Sequence, residues 1–287
     1  MTNGMAAVRA RARTVLARSG FPDVNTEADA LIAGVLGRSR GDVALDALLD
    51  RSVPAESVTA IEAALARRAR REPLQHLTGR AAFCDIELHV GPGVFVPRPE
   101  TERLVELAVE RMPSRAPAVV DLGSGSGAIA IAVARALPGA RVWAVESSPR
   151  AWPWLVRNVR EFGDGRVVPV FGRLAEVELP DAPRALDAVL SNPPYIPRAD
   201  EPSDPEVRLF DPAAALYGGA DGLDDVRRIV AHAAACLTPG GIVLLEHDER
   251  QGGAIRSLLA AAGFEAGETS TDLTGRERLT GAVAPGA

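Results

Sequence analysis

Lysine is absent from this 287-residue chain; every basic side chain is an arginine, and the acids outnumber them to leave a formal charge of -6. A phosphate-binding P-loop requires a lysine, so that chemistry is excluded. Cysteine is nearly absent: Cys84 and Cys236 stand far apart with no paired spacing. That rules against a disulfide framework or a zinc cage and fits a reducing, cytoplasmic setting. Histidine is scarce, and His76, His89, His232 and His247 show no H-E-x-x-H or other ligand spacing, so they are expected to be structural or surface residues and no metal is expected. No apolar run approaches the roughly eighteen residues of a membrane span, and the first residues, MTNGMAAVRARARTVL, lack the apolar core of an export signal. The acidic balance argues against a dedicated duplex-binding surface, which needs clustered positive charge.

What is present is the composition of a globular protein of one or two domains, 47% hydrophobic and 24% charged. Up to Glu72 the pattern is helical: a first segment ending near Gly20, a second from Glu27 to Leu36, and a third from Pro54 to Arg71 with Ser52 as its cap. This region holds eleven arginines against nine acids, a net +2, which leaves -8 for the rest. Arg67, Arg68, Arg70 and Arg71 read as a solvated helix face. Residues 75–96, QHLTGRAAFCDIELHVGPGVFV, alternate apolar and polar around Gly79 and a Gly91-Pro92-Gly93 turn, the signature of a β-hairpin linker. The expected organisation is a helical domain over 1–75, a hairpin over 76–96, and a third region over 97–287.

That third region repeats strand, loop and helix: APAVVDLGSGSGAIAIAVARAL, RVWAVESSPRAWPWLVRNV, RVVPVFGRL, ALDAVLSNPPY and GGIVLLEHD. Alternation of this kind implies an α/β fold, a parallel sheet covered on both faces. FEAGETSTD and RERLTGAVA are weaker candidates for closing strands. Residues 198–222, rich in proline and acid, read as a long surface loop.

The strand at 118–122 runs into Gly123-Ser124-Gly125-Ser126-Gly127 and then a helix of small residues. Backbone can approach a ligand closely there, at a helix N-terminus. Twenty-one residues after Gly125, Glu146 closes the next strand, where a carboxylate can accept both hydroxyls of a ribose. Gly123, Gly125 and Ala128 also satisfy the dinucleotide fingerprint, so the glycines alone leave NAD and S-adenosylmethionine open. Asp121 favours the latter: an acid just before the glycines would repel a pyrophosphate but suits the ammonium of a methionine moiety.

In an open α/β sheet, ligands sit beyond the carboxyl ends of the strands. The strand at 186–191 delivers Asn192-Pro193-Pro194-Tyr195 to that edge. The prolines stiffen the backbone and leave the Pro193 carbonyl as an acceptor, Asn192 adds its side-chain oxygen, and Tyr195 offers a flat face. Two fixed acceptors beside an aromatic ring match a planar NH2 group, an amide or an exocyclic amine.

NPPY together with DLGSGSG resembles the class I methyltransferases that modify planar nitrogen. FVPRPETERLVE, ALYGGADGLDDVRRIV, PLQHLTG at 73–79 and VLLEH at 243–247 extend the resemblance over nearly the whole chain, specifically to the release factor glutamine methyltransferase (HemK/PrmC-type) family. The resemblance implies a Rossmann-like seven-stranded sheet and a helical N-terminal domain that grips the protein substrate. It also implies S-adenosyl-L-methionine as cofactor and methylation of the glutamine in the Gly-Gly-Gln motif of peptide chain release factors. Asp121, Gly123, Ser124, Gly125, Ser126, Gly127, Glu146 and Asn192 would then hold the cofactor, and Asn192, Pro193, Pro194 and Tyr195 the glutamine.

The chain departs from the family pattern in places. Gly172 and Arg173 stand where an acid for the adenine amine and an aromatic are usual, Glu146 replaces an aspartate, Asp248 a glycine, and Cys84 an aromatic. A paralogue acting on another protein, such as a ribosomal protein, an N6-adenine-type nucleic-acid enzyme, a cofactor-binding protein without activity and an NAD-dependent oxidoreductase are the alternatives.

Overall fold

The computed structural model describes residues 3–173, 177–265, 267–272 and 274–286. Leu174 and Ala266, inside two of the stretches read as strands, lie outside them. The chain divides into two compact units, one of Met1–Arg80 with Ser203–Phe210, the other of Ala81–Pro202 with Asp211–Ala287.

The first unit is helical: α1 (Met5–Arg18), α2 (Val24–Leu36), α3 (Arg40–Leu48), α4 (Ala55–Arg68) and α5 (Leu74–Thr78), with α9 (Pro205–Phe210) supplied by the later segment. Met5, Val8, Ala12 and Leu16 recur every three or four residues along α1 and are buried, so the arginine-rich segment is amphipathic. Asp23 caps α2 by accepting from the Thr26 amide, and Gly37 ends it with a left-handed φ of 62°. Helix α3 was not expected; a capping box between Ser39 and Asp42 starts it. Ser52 does not cap α4: Pro54 occupies that position without a side-chain bond, and Ser52 bridges to Gly4 instead. The solvated arginine face is also corrected. Arg68 is only 3% exposed, pairs with Glu27 at 3.0 Å and Glu206 at 2.8 Å, and lies over the Phe21 ring. A guanidinium can be buried when its fork is matched by carboxylates and its flat face by an aromatic.

The second unit opens with strands β1 (Arg80–Phe83) and β2 (Ile86–His89), a two-stranded sheet. The hairpin is thus shorter than expected. It turns at Cys84-Asp85, and α5 occupies residues read as its beginning. A 3-10 turn (Pro99–Thr101) leads into α6 (Glu102–Arg111). Then come β3 (Ala118–Leu122), α7 (Ala128–Ala136), β4 (Arg141–Glu146), α8 (Trp152–Phe162), β5 (Val167–Phe171), β6 (Leu186–Ser191), α10 (Ala213–Leu216), α11 (Asp224–Cys236), β7 (Leu237–Glu246), α12 (Gly252–Ala261), β8 (Glu268–Thr271) and β9 (Glu277–Val283). The stretch read as one long loop therefore carries α9 and α10.

Among the described residues the sheet has seven strands in the order β5-β4-β3-β6-β7-β9-β8. The first five run parallel, and β9 runs antiparallel to both β7 and the edge strand β8. Alternate residues of each strand serve opposite faces. Val119, Val142, Ala188 and Leu244 join one core with α6 and α7; Val120, Trp143, Val189 and Val243 join the other with α11 and α12. Burial on both faces explains why the central strands read as unbroken apolar runs. Strand order reverses between β3 and β6, which places the ends of β3, β4, β6 and β7 around one crevice.

Candidate active site

The glycine loop follows β3 and is shaped by its own backbone. Gly123, Gly125 and Gly127 all have left-handed φ, at 78°, 56° and 86°. At Gly127 a side chain would also collide, since an added Cβ lies 2.8 Å from Leu155 Cδ1. Gly123 and Gly125 instead face open space, so the loop leaves room for a ligand over its backbone. Ser124 donates to the Asp121 carbonyl at 2.9 Å, and the Ser126 carbonyl accepts from Asn158 Nδ2 at 2.9 Å.

Asn158 was not anticipated. It is fully buried, accepts from the His89 amide at 2.8 Å and donates to the His89 carbonyl and to Ser126. One side chain thereby ties the glycine loop to β2. Asn158→Ala leaves those backbone groups without partners, and a loss of about 2–4 kcal/mol is expected in urea unfolding.

Glu146, at the end of β4, accepts from the Gly125 amide at 2.8 Å and the Ser148 amide at 2.6 Å. Each oxygen thus holds a loop and retains a lone pair for a ligand hydroxyl. Asp121 is 0% exposed, and neither carboxyl oxygen has a partner in hydrogen-bond geometry. Burial pushes its pKa up to about 7. An orphaned buried carboxyl beside an open glycine cradle suits a ligand that carries a cationic amine.

The end of β6 meets this loop. Ser191 is buried and donates to the Leu122 carbonyl at 2.5 Å, which locks β6 to β3 one residue before Asn192. Asn192 Nδ2 donates to Thr101 Oγ1 at 3.2 Å. No described residue donates to the Pro193 carbonyl. Burial pushes the Tyr195 phenol up to about 12, so it stays neutral.

The glycine-rich stretch after α10 clamps Pro194 and Tyr195. The Gly218 amide donates to the Ile196 carbonyl and the Ile196 amide to the Leu216 carbonyl, and Gln251 Nε2 donates to the Tyr195 carbonyl at 2.9 Å. A Cβ at Gly218 would lie 2.2 Å from the Pro194 carbonyl, and one at Gly222 would lie 2.1 Å from that of Tyr195. Gly222→Ala is expected to displace Tyr195 and lower kcat/KM for the methyl acceptor at least about tenfold with ligand affinity at the glycine loop unchanged, which steady-state kinetics and calorimetry check.

Thr101 and Glu246 were also missed. Thr101 ends the 3-10 turn, 4% exposed, and Glu246 ends β7, 3% exposed. The available signal was an acid closing an apolar strand at the same sheet edge as Asn192. Of the departures noted in the sequence, Gly172 donates to the Glu146 carbonyl and has no room for a side chain, since a Cβ would meet Val177. The neighbouring Phe171 is 53% exposed and stands edge-on to Trp152. Asp248 is taken up in a turn by the Arg250 amide and guanidinium. Cys84 sits in the hairpin turn, its amide donating to Glu102. The residue is exposed, and partial desolvation together with the neighbouring Glu102, Asp85 and Glu106 carboxylates pushes its thiol up to about 11. His247 is buried between Thr280 Oγ1 and the Asp248 carbonyl. Among the described residues no cluster could hold a metal ion, and no helix is long and apolar enough to cross a membrane.

The seven-stranded sheet with a glycine loop after its first parallel strand and Asn-Pro-Pro-Tyr after the fourth defines a class I methyltransferase fold. A methyltransferase from Pyrococcus furiosus superposes with a TM-score of 0.55 at 18% identity, over 77% of this chain and 99% of that one. The Thermus thermophilus 16S rRNA N2 G1207 methyltransferase gives 0.51 at 23%, over 71% and 49%. Residues 7–79 match the PrmC N-terminal domain and residues 85–217 the methyltransferase small domain. The release factor glutamine methyltransferase of Bifidobacterium longum is 39% identical over 95% of this chain and 97% of its own. That of Mycolicibacterium smegmatis is 43% identical over 98% and 95%. The chain belongs to the release factor glutamine methyltransferase family.

Proposed function

We propose that this protein is an S-adenosyl-L-methionine-dependent N5-methyltransferase acting on the glutamine of the Gly-Gly-Gln motif of peptide chain release factors. The observation that carries this reading is near-full-length similarity to release factor glutamine methyltransferases, combined with a fixed amide and a free carbonyl at the end of β6. The helical unit is proposed to hold the protein substrate, and the cytoplasm is the proposed location.

The residues fit the cofactor. Asp121 would pair with its ammonium, Gly123 and Gly125 admit it against backbone, and Glu146 would accept from its ribose hydroxyls. Bound there, it supplies an electrophilic methyl group on a sulfonium. The amide nitrogen of glutamine is a weak nucleophile because its lone pair is delocalised. Asn192 Oδ1 and the Pro193 carbonyl would accept its two N–H groups, orient it, and stabilise the positive charge that develops on nitrogen. Tyr195 would lie against the planar amide. The proton leaves late, to water, and no histidine takes part.

A nucleic-acid amine is the other planar acceptor, and the acidic charge disfavours it. The test offers labelled S-adenosylmethionine with a release factor, a ribosomal-protein mixture, DNA and RNA as parallel acceptors. Transfer to the release factor is expected; transfer to nucleic acid alone would overturn the reading.

A further inference from the structure

The role proposed for Asn192 needs its amide oxygen, not its nitrogen, to face the acceptor. An asparagine amide turned by 180° has the same shape, so something must select one orientation. The prolines that follow cannot do so, because they donate nothing.

Glu246 is placed to make that selection. In the parallel register Ser191 pairs with Leu245, so the next residues, Asn192 and Glu246, lie alongside each other at the carboxyl edge. Thr101 accepts from Asn192 Nδ2 at 3.2 Å, and the side chains of Thr101 and Asn192 both lower the Glu246 pKa, favouring its charged form. Glu246 is 3% exposed and its Oε2 has no partner. A carboxylate only accepts. With Glu246 ionised, the Thr101 hydroxyl must point its hydrogen at Glu246, which leaves the Thr101 lone pair for an N–H of Asn192 and turns Oδ1 outward.

We propose that Glu246 is a positioning residue whose carboxylate, acting on Thr101 and Asn192, fixes the Asn192 amide with its oxygen toward the methyl acceptor. This rests on the reading of Asn192 given above. A protonated Glu246 can donate to Thr101, and the relay then loses its direction. Burial pushes the Glu246 pKa up to about 7, with Arg278 on β9 lowering it and Glu100 before α6 raising it. Tyr195, itself raised by Glu246, and Asp248 face the same region. The orienting form therefore prevails above neutrality and fades below it.

The chain has four asparagines, Asn3, Asn25, Asn158 and Asn192, so asparagine-specific 15N labelling gives a readable set of side-chain NH2 signals, assigned with Asn192→Ala. Between about pH 5.5 and about pH 8.5 the Asn192 pair is expected to titrate with a midpoint near the value set by Glu246. It should be flat in Glu246→Gln and at most half as large in Thr101→Val. A pair that does not titrate in the native protein, or titrates equally in Glu246→Gln, overturns the proposal. In parallel, kcat/KM for release factor at saturating S-adenosylmethionine should fall roughly 10–100-fold in both variants at high pH, the scale on which outer-shell partners act. The acid limb should disappear in Glu246→Gln, with cofactor affinity unchanged. Loss of rate in Glu246→Gln with full rate in Thr101→Val also overturns it. If the native chain shows the titration and methylates no release factor, the functional reading fails and the relay stands.

Discussion

Asn192→Ala is expected to lower kcat for methyl transfer about 10²–10³-fold, the cost of removing one preorganised polar group from a transition state. The side chain is half-buried and donates to Thr101, while the strand beneath it is held by Ser191 and Leu122. Stability should therefore change by no more than about 1 kcal/mol. Affinity for the protein substrate should weaken less than the rate, because positive charge on the glutamine nitrogen exists only as the methyl transfers. Rapid-quench kinetics on saturated enzyme would separate the two. A variant with native turnover and normal cofactor binding would remove Asn192 from the mechanism.

Asp121→Asn has the second largest expected effect, and its sign differs between the free and loaded protein. In the free protein burial raises the Asp121 pKa from 3.8 to about 7. Between those values the folded state holds a proton the unfolded chain has released, so stability falls as pH rises through this window. The raised Glu246 adds a slope of the same sign up to about 7. Asp121→Asn removes its own share, and the free variant should melt higher than the native protein at about pH 8 and near it at about pH 4. Binding reverses the sign. Asp121 must be ionised to pair with an ammonium, so native affinity for S-adenosylmethionine should drop by up to about tenfold per pH unit below about pH 7. The variant should bind roughly 10–100-fold more weakly at about pH 8, as expected for a charged hydrogen bond worth about 1.5–3 kcal/mol. Calorimetric titrations across pH check both; a native affinity independent of pH would show that Asp121 does not face the ammonium.

Much of the fold and part of the site were legible in the sequence because they rest on local chemistry. Glycine punctuation marked the loop after β3, apolar runs marked strands buried on both faces, and Asn192-Pro193-Pro194 marked the end of β6 at the carboxyl edge of the sheet. What escaped depends on contacts distant in sequence or on very short elements. Helix α5 has five residues between Pro73 and Gly79, too few for a helical period. Helix α3 is nine residues with Gly41 near its start, and only its Ser39–Asp42 box signalled it. Asn158 occupies an ordinary position in an amphipathic helix, and its partner His89 is 69 residues away. Thr101 and Asn192 are 91 residues apart, so no spacing rule joins them. Arg68 looked solvated for the same reason: Glu27 and Glu206, which match its charge, come from distant segments.

The most direct test is to incubate the protein with methyl-labelled S-adenosylmethionine and a purified cognate release factor, then map the label by peptide mass spectrometry. The expected result is a single added methyl on the glutamine of the Gly-Gly-Gln motif, absent when that glutamine is replaced and lost with Asn192→Ala. Cofactor binding without label on the release factor, or label on any other residue, would contradict the account.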